Sequence, residues 1–205
     1  MGMPSKVTGP LSDEAVMLAV REGEVAKLGL LFDRYHRALF DFFCRMVSNR
    51  SVAEDLVQDV FFRILKYRKT YRDDSHFTTW MFHIARNARI DHFKKHRGEV
   101  MFPEEGFDVP GHGPFPSQQF EKEQEAALLK KALARLSEEK RELLILARYR
   151  EMKYDQIADF YGVDTGTIKV RVHRAVKELR EIYSKVSGEK ASCNVRKPET
   201  NLRII

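Results

Sequence analysis

The chain has 205 residues, 43% of them hydrophobic and 32% charged, enough apolar content to bury the cores of two small domains of about 80 residues each. Lys and Arg number 36 against 30 Asp and Glu, for a net charge of +6 and a pI near 9.3, which points to a polyanionic partner only where the charge is clustered. The longest apolar run falls far short of the roughly 20 residues of a membrane span. Met1 to Asp13 holds no apolar export signal, and the two cysteines, Cys44 and Cys193, make neither a CxxC pair nor a disulfide framework. The expectation is a soluble protein of the reducing cytoplasm with no membrane insertion.

From about residue 12 to 97 apolar residues recur at helical spacing, and nothing alternates for long like a half-buried strand. The predicted class is all-α. Leu28, Leu31, Phe32, Tyr35, Leu39, Phe42, Phe43 and Met46 form one aromatic-rich stripe, in which Cys44 reads as a core filler. Ser51 and Glu54 carry the spacing of a capping box at the start of a second helix. Its stripe is Ala53, Leu56, Val57, Val60, Phe61, Ile64 and Leu65. A third helix is expected from Ser75 or Thr78 to about Lys95, and the three can close a small bundle.

On the second helix Asp55, Gln58, Asp59 and Phe62 share the face opposite the core stripe. This is either a solvated face with one stray aromatic or a docking patch, in which Phe62 anchors a partner and the carboxylates attract a basic one. On the third helix Phe77, Trp80, Met81, Ile84 and Ala88 make the expected core stripe, with Phe82, Arg86, Arg89 and Phe93 on the far side. From Arg86 to Arg97 there are five Lys or Arg and one acid, together with His92 and His96. Guanidinium groups bind phosphate and exposed rings stack on unpaired bases, so this face suits single-stranded nucleic acid unless its rings pack under a neighbouring loop.

Between Gly98 and Glu125 stand seven acids against one lysine, with four of the seven prolines. Residues 98–121 therefore read as an acidic linker. Helical periodicity resumes over 122–187, and 188–205 read as a mobile tail. Tyr154 to Tyr161 predicts a short helix, Gly162 a tight turn, and Asp164 or Thr165 the cap of a helix reaching about Ser184. That last helix should bury Ile168, Val172, Ala175, Val176 and Leu179 and present Lys169, Val170, His173, Arg174 and Lys177. Between Thr167 and Arg180 lie five basic residues and one acid. Small, basic and hydrogen-bonding residues near a helix N-terminus are what a recognition helix uses in the major groove, although an ordinary basic helical hairpin has the same spacing.

Enzymatic readings find little purchase. There is no phosphate-binding Gly loop, no H-E-x-x-H and no Gly-flanked serine. His92 and His96 lack a third ligand, and a magnesium nuclease built on Glu54, Asp55 and Asp59 would keep its acids on a different face from its basic charge.

Three segments in order, Ala53 to Leu65 (AEDLVQDVFFRIL), Phe77 to Asp91 (FTTWMFHIARNARID) and Tyr154 to Arg174 (YDQIADFYGVDTGTIKVRVHR), give the chain its resemblance to bacterial sigma factors. It resembles the extracytoplasmic-function group, which keeps only sigma domains 2 and 4. The resemblance implies a promoter-specificity subunit without catalytic residues or cofactor, whose partners are core RNA polymerase, promoter DNA and an anti-sigma factor. It implies that Asp55, Gln58, Asp59 and Phe62 dock on the coiled coil of the largest polymerase subunit. The Tyr71 to Phe77 loop and the helix after it would capture a flipped nontemplate-strand base. Trp80, Phe82, His83, Arg86, Asn87, Arg89 and Phe93 would meet the minus-ten DNA, with Asn87 reading a base edge. Lys169, Val170, His173, Arg174 and Lys177 would meet the minus-thirty-five element, where Val170 departs from the small polar residue common in the group. The rival reading is a free-standing helix-turn-helix regulator that works without polymerase.

Overall fold

The computed structural model describes residues 11–47, 49–96, 116–148 and 152–188, with 116–123 described by their backbone alone. The described residues hold eight α-helices and no strand: α1 (Asp13–Arg21), α2 (Leu28–Val47), α3 (Arg50–Tyr67), α4 (Phe77–Lys95), α5 (Pro116–Arg135), α6 (Glu138–Arg148), α7 (Tyr154–Tyr161) and α8 (Thr165–Ser187). They divide into two compact units, Met1–Phe40 with Asp55–Arg97 and Asp41–Glu54 with Gly98–Ile205. None of these helices is long and apolar enough to cross a membrane.

The N-terminal region has one helix more than the stripes foretold. In α1 the Ser12 side chain accepts from the Ala15 amide, Asp13 and Glu14 occupy the positive first turn, and Arg21 lies at the negative end. Val16, Met17 and Val20 are buried. The helix is tied to α2, because Arg34 donates to the Leu11 carbonyl at 3.0 Å and the Tyr35 hydroxyl donates to Asp13. Gly23, at φ 117°, takes the turn that follows at no Cβ cost.

The α2 and α3 stripes are buried as their periodicity requires, except for Leu28 and Leu65 at their ends, which are partly buried, and for Phe32. Phe32 is exposed at the edge of its stripe near the start of α2, stacked on His36 and meeting Phe61 edge-on with ring centroids 4.9 Å apart in each pair. The expected capping box at Ser51 and Glu54 does not form. Asn49 caps α3 instead, accepting from the Val52 amide at 3.1 Å, while Glu54 is bonded to Arg50 one turn earlier at 2.8 Å. Cys44 is buried, which pushes its thiol up to about 11 with Asp41 adding to the effect. It stays protonated and inert.

Helix α5 begins at Pro116, within the stretch expected to be linker, since a proline lacking its N–H is tolerated in a first helical turn. The rest of that linker, and the tail beyond Gly188, lie outside the described residues. Ala132 and Leu133 of α5, and Leu136 just past its end, pack on Leu179 of α8, with Ile182 and Tyr183 at the margin. Arg141 of α6 donates to the carbonyls of Leu133 at 2.9 Å and Ala134 at 2.7 Å, filling acceptors that the end of α5 leaves open. Lys140 and Arg171 pair with Glu178 and Glu139, joining α6 to α8.

Candidate protein-docking and nucleic-acid surfaces

On α3 the predicted outward face is present. Asp55 and Gln58 are exposed, Asp59 is partly exposed, and Phe62 is 64% exposed, the most open of the large apolar side chains described. Asp59 is not a free carboxylate. Arg63 donates to it at 2.9 Å and to Asp91 of α4 at 2.7 Å. Burial opposes the charge on Arg63, but the bonds to Asp91 and Asp59 outweigh it and hold the guanidinium above its ordinary value. Asp55, Gln58 and Phe62 are thus the open members of the patch, while Asp59 also fastens α3 to α4.

Helix α4 corrects the sequence reading. Phe82 and Arg89, expected on the outer face, are 1% and 5% exposed, and Trp80, expected inside, is half-buried. At 100° per residue the buried side chains, from Phe77 and Thr78 to Ala88 and Arg89, sweep roughly 160° of the helix. That arc is turned toward Phe82 relative to the stripe read from spacing. Trp80 is left at its margin, edge-on to Tyr71 at 5.2 Å. The outward residues are His83, Asn87 and Phe93, with Arg86 half-buried beside them. Partial burial, helped by the Arg86 charge, lowers the His83 pKa. At neutral pH His83 is uncharged, and the basic character of this face comes from Arg86, Lys94 and Lys95.

The segment between α3 and α4 builds a concavity of about 470 Å3, lined by Arg21 and the loop from Lys69 to Asp74. Within the loop Arg72 bridges to Asp74 at 2.8 Å and the Tyr71 hydroxyl donates to the Ser75 carbonyl at 2.7 Å. Sequence reasoning assigned this loop a role but missed Arg21. The available signal was the unused start of the chain, a Ser12 cap followed by acids, a Val16, Met17 and Val20 stripe and a terminal arginine.

In the second unit α7, a turn and α8 form as predicted. Gly162 sits at φ 64° in the left-handed region that ends α7. Asp164 caps α8 by accepting from the Thr167 amide at 2.8 Å and from the Thr167 hydroxyl. Ile168, Ala175 and Leu179 are buried, Val172 and Val176 partly so, and Lys169, Val170, His173, Arg174 and Lys177 are all exposed on the outer face. These hydrogen bonds hold the Asp164 carboxyl below its ordinary 3.8, the side-chain bond from Thr167 contributing most. A depressed carboxyl contributes stability that is present above the unfolded value and fades as the pH falls through the folded one. Asp164→Ala should therefore lower the melting temperature at pH 7, and in thermal scans the gap from wild type should narrow below about pH 3.8. A gap that is constant with pH would show that the carboxylate charge contributes nothing.

Among the described residues no group of three His, Cys, Asp or Glu side chains could hold a metal ion.

Comparison with known proteins bears on the same regions. A model of sigma-70 region 2 matches residues 31–99, and one of sigma-70 region 4 matches residues 126–179. The extracytoplasmic-function sigma factor RpoE of Cereibacter sphaeroides is 33% identical over 174 residues, covering 83% of this chain and 94% of its own. The corresponding factor SigE of Mycolicibacterium smegmatis is 31% identical over 162 residues, covering 78% of this chain and 61% of that longer protein. Among solved structures, the sigma factor RpoE of Bartonella quintana in complex with the anti-sigma factor NepR is 29% identical at a TM-score of 0.55, covering 75% of this chain and 94% of that one. CnrH, solved with the cytosolic domain of CnrY, shares the fold at a TM-score of 0.64 and 19% identity, over 84% of this chain and 97% of its own.

Proposed function

The chain belongs to the extracytoplasmic-function sigma factors, and from that membership we propose that it binds core RNA polymerase, directs it to promoters through minus-thirty-five and minus-ten elements, and starts transcription of a small regulon. The observation that carries this reading is the outward face of α3, where Phe62 and Asp55 stand exposed opposite a stripe that is buried from Ala53 to Ile64. A free-standing regulator has no use for such a face, whereas a basic partner helix would bury the ring and pair the acid. The full chain should comigrate with purified core polymerase in gel filtration. A chain that binds a specific duplex yet leaves core unbound would favour the free-standing regulator.

Asp55, Gln58, Asp59 and Phe62 form the docking patch in this reading. The Tyr71 to Phe77 loop receives a base flipped from the nontemplate strand, with Trp80, His83, Arg86, Asn87 and Phe93 along the strand beside it. Flipping costs a few kcal/mol, which stacking and a pocket can offset. Phe82 and Arg89 have no part in it, because their side chains are in the core. An anti-sigma factor is a further expected partner, since the Bartonella relative was solved bound to one.

In the second unit Lys169, Val170, His173, Arg174 and Lys177 face the minus-thirty-five element. Base reading and charge can be told apart there. Arg174 lies in the N-terminal half of α8, so Arg174→Ala should cost about 1–3 kcal/mol on a cognate element and relax preference at one base. Arg180 lies further along, and its loss should weaken all sequences alike and reduce the salt slope by about one. Salt titrations of holoenzyme containing each variant, on cognate and scrambled duplexes, measure both. Equal weakening of the two duplexes by Arg174→Ala would reduce that arginine to a phosphate contact.

A further inference from the structure

Helix α1 grips the loop between α3 and α4 at both ends. At the near end the Arg21 guanidinium donates through one nitrogen to the Tyr71 carbonyl at 3.0 Å and to the Asp73 carboxylate. The neighbouring nitrogen bonds Glu22 at 3.0 Å, which fixes the plane of the fork. At the far end Glu14 accepts from the Phe77 amide at 3.4 Å. That bond matters because His76, the residue before α4, offers no side-chain cap, so α1 supplies in trans the acceptor that the first turn of α4 needs. Between the two grips α1 is anchored by Val16, Met17 and Val20, each with no exposed surface. Arg21 is also a wall of the loop's concavity.

We propose that α1 is the positioning element of the base-capturing loop and that Arg21 is the residue through which it acts, an inference that rests on assigning the Tyr71 to Phe77 loop to the flipped base. A loop of this length has many conformations of similar energy. Capture of one base against three others needs its donors and acceptors fixed before the base arrives, since ordering them on binding would be charged against every base equally and dilute discrimination. Arg21 fixes two of them, the Tyr71 carbonyl and the Asp73 carboxylate, from outside the loop. Arg21 is a positioning residue, and its effect should appear as lost base preference at one position and not as a general loss of DNA affinity.

The test uses holoenzyme assembled from core polymerase and the full chain. A library of single-stranded oligonucleotides, randomised in sequence, is selected on wild type, Arg21→Ala, Arg21→Lys, Asp73→Ala, the Arg21→Ala and Asp73→Ala double variant, and a variant with Arg72, Asp73 and Asp74 replaced by glycine. Core binding of each is measured alongside. The inference expects a strong preference at one position in wild type, reduced roughly tenfold in Arg21→Ala, reduced no further when Asp73→Ala is added, and partly restored in Arg21→Lys, with preferences elsewhere and core binding unchanged. Should the glycine loop abolish the preference while Arg21→Ala keeps it, or should Arg21→Ala weaken every position and core binding together, Arg21 does not position the loop. If the glycine loop itself retains the wild-type preference, the assignment of the loop falls, and the inference with it.

Discussion

Replacing Asp55 with lysine and Phe62 with alanine together should weaken core polymerase binding by about 100-fold or more, close to 3 kcal/mol. The pair is chosen for what each side chain does in the free protein. Both are exposed, and neither is joined to the rest of the bundle by a described hydrogen bond, so the cost to folding should stay within about 0.5 kcal/mol. Asp59 is a poorer probe, because reversing its charge would also break the Arg63 bridge to Asp91 and confuse docking with the seating of α4. Fluorescence titration of core with labelled variant and wild type reads the effect. Thermal unfolding of the same samples confirms that the bundle is intact. Affinity within a few-fold of wild type would remove the α3 face from the docking role.

Phe82→Ala should destabilise the N-terminal unit by about 3–5 kcal/mol, the usual cost of emptying a phenylalanine from a packed core. For a unit of this size the melting temperature should drop by roughly 10 °C or more. The substitution separates two accounts of α4. Were Phe82 a stacking platform on the outer face, its loss would weaken single-stranded DNA binding by about 1–3 kcal/mol per base and leave unfolding nearly unchanged. With 1% of the side chain exposed, the loss should appear in stability. Phe93→Ala, at the open end of the same helix, supplies the contrasting case, with DNA affinity reduced and stability nearly kept. Calorimetry showing an unmoved transition for Phe82→Ala would contradict the burial.

The contrast shows which parts of the molecule are legible in its sequence. The α3 stripe and the α7, turn and α8 unit are written in local signals, a 3.6-residue period, a glycine at a positive φ and an aspartate whose oxygens reach the Thr167 amide and hydroxyl. Such signals act within a few residues and survive whatever surrounds them. Helix α4 is different because its burial depends on how wide an arc its neighbours cover, and spacing cannot say which of two adjacent stripes is deeper. Phe82 and Trp80 exchanged places for that reason. The cap of α3 shows a competition of the same kind. Ser51 and Glu54 have the right spacing, but Asn49 reaches the Val52 amide first and Arg50 takes the glutamate. Of the proposed sites, the docking face and the outer face of α8 could be read residue by residue. The hold of Glu14 and Arg21 on a loop 50 to 63 residues away in sequence could not, since no local pattern encodes it.

In the reading proposed above, this chain gives core polymerase its choice of start sites. Genomic DNA from the source bacterium, sheared and transcribed in vitro by core alone and by core with the full chain, can be mapped for RNA 5′ ends across all fragments at once. A discrete set of new starts is expected, each preceded by the same two short motifs at minus ten and minus thirty-five, and their loss in the Asp55→Lys and Phe62→Ala double variant. Start sites indistinguishable from those of core alone, from a preparation shown to be folded, would contradict it.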